Sequence, residues 1–175
     1  MREPAMPIDE TARLMSLHSL RILDTPSEER YDRLTRMAKR LFGVQIALVS
    51  LVDSDRQWFK SAYGVSTTET PRDFSLCGHA ILEAQPLIVE DALADPRFAD
   101  NPLVTHEPKI RFYAGFPIEA LDGNRLGTLC IIDRKPRELS EAQQRMLRDL
   151  GEMVERELMA LQLATRDDLT GLANR

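Results

Sequence analysis

Val44-Gln45-Ile46-Ala47-Leu48-Val49-Ser50-Leu51-Val52 runs directly into Asp53-Ser54-Asp55-Arg56, and then into Gln57-Trp58-Phe59-Lys60-Ser61-Ala62-Tyr63. The first nine residues are rich in β-branched and aliphatic side chains on both alternating faces. That is the pattern of a central strand covered on each side. Asp53-Ser54-Asp55-Arg56 supplies turn chemistry, because short Asp and Ser side chains hydrogen-bond their own backbone. Gln57 to Tyr63 then returns as the second arm of a hairpin.

The second half of the chain repeats this theme. Arg111 to Ile118 reads as a strand, with Pro117, which has no N–H to donate, marking an edge position or a bulge. Asp122-Gly123 closes a hairpin, and Arg125 to Ile132 is the strongly apolar last strand. Between the two halves, Gly64 to Asp73 is polar and reads as irregular and mobile. Leu76 to Glu83 is a short helix with Ser75 as its cap, and Leu87 to Val89 is a short strand. Asp95 to Pro108, broken by Pro96, Pro102 and Pro108, is limited to loop or single helical turns.

Both ends are helical. Ile8 to Leu23 carries Leu14, Leu17, Leu20 and Leu23 at near-helical steps behind Pro7. Thr25-Pro26-Ser27-Glu28 predicts a second helix start, with Thr25 as N-cap, Pro26 in the first turn and Glu28 completing a capping box. Tyr31, Leu34, Ala38, Leu41 and Phe42 give that helix an apolar stripe, and Gly43 ends it. At the other end, Ser140 and Gln143 form a capping box before Leu147, Leu150, Val154, Leu158 and Leu161, which share one face. This last helix runs from Ser140 to about Ala164, roughly 37 Å at 1.5 Å per residue, longer than a small core needs. The first helix requires a partner for its own stripe, and the long helix is the candidate, within the chain or across a homodimer. Hairpins with helices gathered at the ends and mid-chain specify an α+β fold with an antiparallel sheet rather than a βαβ repeat.

The 175 residues suit one domain with appendages, and 43% hydrophobic with 29% charged residues is ordinary globular composition. A net charge of −5 argues against a nucleic-acid surface. No stretch of 18 apolar residues spans a membrane, and the N-terminus lacks the apolar core of a signal peptide. Cys77 and Cys130 form neither a CxxC pair nor a disulfide framework. These features favour the cytoplasm.

Two groups of residues invite chemistry. Cys77-Gly78-His79, with Cys130 approaching from the last strand, could hold a metal, a haem or a reactive small molecule. The simpler reading makes both cysteines small core hydrophobes and hydrogen-bonds His79 to backbone; no second histidine stands at metal-ligand spacing, so no metal site is assigned. Trp58, Phe59, Phe74, Phe112 and Tyr113, with Arg72 and Arg111, could line a pocket for a flat or anionic ligand, or could simply pack, with the arginines paired to Asp73 or Asp91. No GxSxG, Walker, HExxH or GxGxxG motif is present, so no catalytic residue is assigned.

Taken together, Leu20-Arg21-Ile22-Leu23-Asp24-Thr25-Pro26, Val49 to Asp53, Arg56 to Ser61, Glu69-Thr70-Pro71-Arg72, Cys77-Gly78-His79-Ala80-Ile81, Asp95-Pro96-Arg97-Phe98, Arg111 to Gly115 and Gly127-Thr128-Leu129-Cys130 resemble one bacterial subfamily of GAF domains over about residues 14 to 163. The resemblance implies a six-stranded antiparallel sheet, with terminal helices on one face and any ligand pocket on the other. Leu76 departs from the phenylalanine usual before that cysteine. The signatures of cyclic-nucleotide and bilin binding are not recognisable, and no cofactor follows.

Beyond the long helix, Asp167-Asp168-Leu169-Thr170-Gly171-Leu172-Ala173-Asn174-Arg175 resembles the D-x-L-T-G-L-x-N-R opening of GGDEF domains, the catalytic modules of diguanylate cyclases. Asp167, Leu169, Thr170, Gly171, Leu172, Asn174 and Arg175 match it. The GG[DE]EF signature is absent, so the 175 residues themselves are read as non-catalytic, and GTP and magnesium belong only to the GGDEF module. The expectation is a sensory GAF domain over 1–163, then 164–175 as linker and start of a cyclase, with a homodimer rearranged through the terminal helices. A ligand-free dimerisation spacer, a redox or metal sensor using Cys77, His79 and Cys130, a downstream phosphodiesterase, and a free-standing sulfoxide reductase are the alternatives.

Overall fold

A computed structural model describes residues 1–170. Helix α1 (Glu10–Ser19) and helix α2 (Glu29–Phe42) precede strands β1 (Ile46–Val52), β2 (Arg56–Tyr63) and β3 (Glu69–Pro71). A 3-10 turn at Arg72–Phe74, α3 (Leu76–Ala80), β4 (Leu87–Val89) and α4 (Pro102–Thr105) follow. The chain then runs through β5 (Phe112–Glu119), β6 (Arg125–Asp133) and α5 (Glu141–Thr170). The six strands form one antiparallel sheet in the order β3-β2-β1-β6-β5-β4. The fold is α+β and GAF-like.

Strand β1 is the interior strand its composition predicts, buried along its whole length. Ala47, Val49 and Leu51 face the core under the helices, whereas Ile46, Leu48 and Val52 face a second core under α3 and the loops. The turn after it uses Asp53 as expected: its carboxylate accepts from the Ser54 N–H, from Arg56 and from His18 Nε2. Pro117 pairs with Thr128 of β6, but β4 covers β5 only from Tyr113 to Gly115, so Pro117 sits on a local edge.

Five expectations are corrected. The segment Gly64–Asp73 is not irregular throughout, because Glu69–Pro71 pairs with Arg56–Trp58 as the sixth strand. The Thr25–Glu28 capping box does not form; α2 starts at Glu29 without a side-chain cap. Its residues instead surround the ammonium of Lys60, whose side chain is fully buried. Lys60 Nζ donates to Thr25 Oγ1 at 2.8 Å and to the Pro26 carbonyl at 2.7 Å, and pairs with the Glu28 carboxylate at 2.7 Å. A buried ammonium needs all three donors satisfied, and that demand outweighs an N-cap.

Helix α1 is shorter than predicted. Ile8 is fully exposed, and the chain leaves the helix through left-handed residues at Arg21 and Asp24. Its partner is β6 rather than the long helix, which packs on α2 and β5. Finally, Leu41 of the α2 stripe points to solvent, while Tyr31, Leu34, Ala38 and Phe42 are buried.

Helix α5 opens with the expected box: Gln143 N–H donates to Ser140 Oγ at 3.1 Å, and Ser140 N–H to Gln143 Oε1 at 2.9 Å. Its 30 residues span about 45 Å, continuing unbroken through Asp167, Leu169 and Thr170. Gly171, Leu172, Asn174 and Arg175 lie outside the described residues. Leu147, Leu150, Val154 and Leu158 are buried in the domain's own helix-side core, with Leu161 packed at its margin. No helix among the described residues is long and apolar enough to cross a membrane.

Candidate functional site

The residues singled out in the sequence do not converge on one site. Trp58 belongs to the helix-side core, across the sheet from Cys77 and Tyr113. Arg72 is 3% exposed; it pairs with Glu10 and donates to the Asp53 carbonyl at 2.9 Å, not to Asp73. Glu10 also binds Arg13, and although burial raises its carboxyl pKa, the two guanidiniums bring it down to about 2. Arg111 donates to the carbonyls of Val104 and Ile110, so it clamps the 103–110 loop rather than pairing with Asp91. The Phe74 carbonyl accepts from the Asn101 side chain.

Cys77, Tyr113 and Cys130 do come together. Ser75 caps α3 by accepting from Gly78 N–H at 2.9 Å, which sets Cys77 against the sheet. Cys77 Sγ accepts from Tyr113 Oη at 3.2 Å and Thr128 Oγ1 at 3.1 Å, and lies 3.9 Å from Cys130 Sγ. Burial pushes the Cys77 thiol up, but its contacts with Cys130, Thr128, Tyr113 and Ser50 outweigh this and lower it to about 7. Burial and then the neighbouring Cys77 drive Cys130 the other way. Both sulfurs are buried. His79 faces away from them, hydrogen-bonding the Arg2 carbonyl at 3.2 Å with its ring edge-on to Phe98. Among the described residues no three His, Cys, Asp or Glu side chains converge as they would on a metal ion.

A cavity of about 340 Å³ opens instead on the loop side of the sheet. Its floor is Ile46 and Leu48 of β1, Gln57 and Phe59 of β2, and Ile132 of β6; Leu103, Pro108 and Ile110 form one wall. Gly64 to Thr67 and Thr70 form the opposite rim. Gly64 has φ +92°, and a Cβ there would lie 2.0 Å from the Gln45 carbonyl oxygen, so this tight entry into the rim requires glycine. At the mouth, Arg134 pairs with Glu107 at 3.2 Å. Alternation along β1 and β2 says that every second residue shares a face, but not which face this is. It could not show that loops from distant parts of the sequence roof part of that face and leave a gap.

Three further residues escaped the sequence reading. Gly151 lies inside α5 where a Cβ would sit 2.1 Å from Phe116 Cδ1, so the missing side chain lets α5 rest on β5. Glu155 accepts from Glu119 N–H at 2.8 Å, and Gln162 accepts from Leu121 N–H at 2.9 Å. Together they tie the long helix to the end of β5. Burial raises the Glu155 carboxyl above its ordinary value.

The GAF domain model matches residues 26–158. The chain belongs to the GAF family. A cyclic di-GMP phosphodiesterase of Pseudomonas aeruginosa is 40% identical over 177 aligned positions covering the whole chain, which spans 30% of that relative's length. The blue-light-absorbing PixJ GAF domain of Thermosynechococcus elongatus superposes with a TM-score of 0.66 at 14% identity, covering 90% of this chain and 95% of that one. Free methionine-R-sulfoxide reductase of Neisseria meningitidis gives 0.62 at 18% identity, covering 94% and 99%. At such identities these two structures speak to the fold alone.

Proposed function

We propose that this GAF domain is the regulatory input of a cyclic di-GMP signalling protein, with α5 carrying its signal to a GGDEF domain that opens at Asp167. The observation that carries the reading is one unbroken helix, buried along its first half in the sensory core and reaching Thr170 within the GGDEF-like motif. The 40%-identical relative, named a cyclic di-GMP phosphodiesterase, supports the same second messenger. Between synthesis and hydrolysis, the D-x-L-T-G-L-x-N-R resemblance favours a diguanylate cyclase, which would take GTP and magnesium outside these residues.

In that reading a small molecule entering the cavity displaces β6 through Ile132. Strand β6 pairs with β5, whose last residues are held by Glu155 and Gln162. Coupling requires different contacts in two arrangements, and the Phe116–Gly151 contact is where a small shift of the sheet would move the helix. The cavity favours a ligand sensor over a ligand-free spacer. A homodimer would use the helix layer, where Met37, Leu41, Met153 and Leu163 remain exposed. The face carrying Leu150 and Val154 is already occupied within the chain.

The test is cyclic di-GMP synthesis and hydrolysis by the protein encoded through and beyond Arg175, with residues 1–163 present or removed. A several-fold change in either rate supports a regulatory role. Identical rates would refute it.

The 3.9 Å separation of Cys77 and Cys130 Sγ favours a second reading, a thiol pair oxidised by peroxide. The two thiols would give up two protons and two electrons to form one disulfide, and the peroxide would become two waters. A mass loss of two hydrogens after peroxide, absent in Cys130→Ser, is its signature; unchanged mass rules it out.

A further inference from the structure

We infer that the cavity beneath the Arg134–Glu107 pair selects a small uncharged molecule with an apolar body and one hydrogen-bond acceptor, such as a short-chain ketone, ester or lactone. This rests on the reading of the domain as a ligand sensor and names the ligand class. The walls provide Leu48, Phe59, Leu103, Ile110 and Ile132, which recognise hydrocarbon and offer nothing to a charge.

Where the apolar floor meets the rim, Gln57 and Thr70 offer donors. Gln57 is nearly buried, and its Oε1 accepts from Ser50 Oγ at 3.3 Å and Ser75 Oγ at 2.7 Å. Its amide nitrogen donates to Thr70 Oγ1 at 2.5 Å. A primary amide carries two N–H groups, so the second is left for a ligand. Thr70, whose oxygen already accepts, can turn its own hydrogen to the same ligand atom. Two donors side by side on an apolar floor define a site for one carbonyl or ether oxygen.

Charge at the mouth argues against an anion. Arg134 at the mouth pairs with Glu107 at 3.2 Å, and among the described residues no other Lys or Arg lines the cavity. A nucleotide phosphate would be left without a cation. Size agrees with a small ligand: 340 Å³ lies at the lower end of the range of small-molecule pockets, about 300–1,000 Å³.

The experiment is saturation-transfer NMR and calorimetry on the 175-residue chain with 2-octanone, octanoate and cyclic GMP, without any enzyme assay. The expected order is 2-octanone at least tenfold tighter than octanoate, with no cyclic GMP binding. Thr70→Val should weaken 2-octanone by about five- to tenfold. Leu103→Trp, which fills the cavity from its loop wall, should abolish binding while the far-ultraviolet dichroism stays unchanged. Octanoate binding within tenfold of the ketone, or any cyclic GMP binding, would overturn the assignment, as would absence of ketone binding or binding indifferent to Leu103→Trp. Ketone binding that leaves cyclic di-GMP turnover unaltered in the longer protein would sink the sensory reading and leave this one standing.

Discussion

Replacing Gly151 by alanine tests how α5 is seated. In an exposed helix interior the change should stabilise by up to about 1 kcal/mol, because glycine loses more backbone entropy on folding. Here the new Cβ would stand 2.1 Å from Phe116 Cδ1 and 2.7 Å from Cε1. Non-bonded carbons settle near 3.5–4.0 Å, so the ring or the helix must retreat by about 1.5 Å. Phe116 is buried between β5 and α5, and overpacking of that kind costs about 1–3 kcal/mol.

The isolated substitution therefore mixes two opposite effects, and a double-mutant cycle separates them. In a Phe116→Ala background the clash disappears and Gly151→Ala should stabilise. In the wild-type background it should destabilise by up to about 2 kcal/mol, giving a coupling of about 1–3 kcal/mol. Urea denaturation followed by far-ultraviolet dichroism reads each corner as a midpoint shift. Stabilisation by the same amount in both backgrounds would refute the close seating of α5 on β5.

Glu10 titrates about 2 when folded against an ordinary 4.5, so its contribution to stability is complete above about pH 4.5 and is lost as pH falls toward 2. Glu10→Gln should accordingly be less stable than wild type at pH 7, with the two unfolding curves converging at low pH; a constant gap would contradict the pairing with Arg13 and Arg72. Glu155 has the opposite sign, since burial raises its pKa and its charge costs stability at neutral pH. Glu155→Gln keeps an acceptor for the Glu119 N–H and should be more stable than wild type at pH 7, an advantage that disappears by about pH 4. Cys77→Ala leaves the Tyr113 and Thr128 hydroxyls without their sulfur acceptor and should cost about 1–3 kcal/mol. Cys77→Ser should recover part of that in the same urea titration, and equal stabilities of the Ala and Ser variants would deny the sulfur its accepting role.

What was legible in the sequence is what local rules decide. The double-sided apolar run of β1, the Asp53 turn, the Ser140–Gln143 box and the Gly43 helix end each depend on neighbours within a few residues, and each formed. The failures have a common cause in long-range demand. Thr25, Pro26 and Glu28 carry good capping chemistry, but Lys60, 35 residues away from Thr25, claims the same oxygens. The stripe of α1 could not reveal whether β6 or α5 would cover it. The aromatic pocket expected from the sequence failed for a related reason: Trp58 and Phe59 look equivalent in sequence, yet successive residues of a strand point to opposite faces. A break in register at Val49/Ser50 inserts Lys60 as an extra residue. Only the folded sheet shows that Phe59 borders the cavity and Trp58 the helices.

The most direct test of the account is the phase of α5 in the longer protein. One, four or seven alanines inserted after Arg166 rotate the downstream segment by about 100°, 400° or 700° at 3.6 residues per turn, so four and seven added residues return it to within about 40° and 20° of the original facing while one leaves it about 100° away. Cyclic di-GMP turnover measured for the four proteins should then be close to wild type with seven added residues, and should change several-fold with one. If all three insertions leave turnover and its dependence on the GAF domain alike, the signal does not travel through α5.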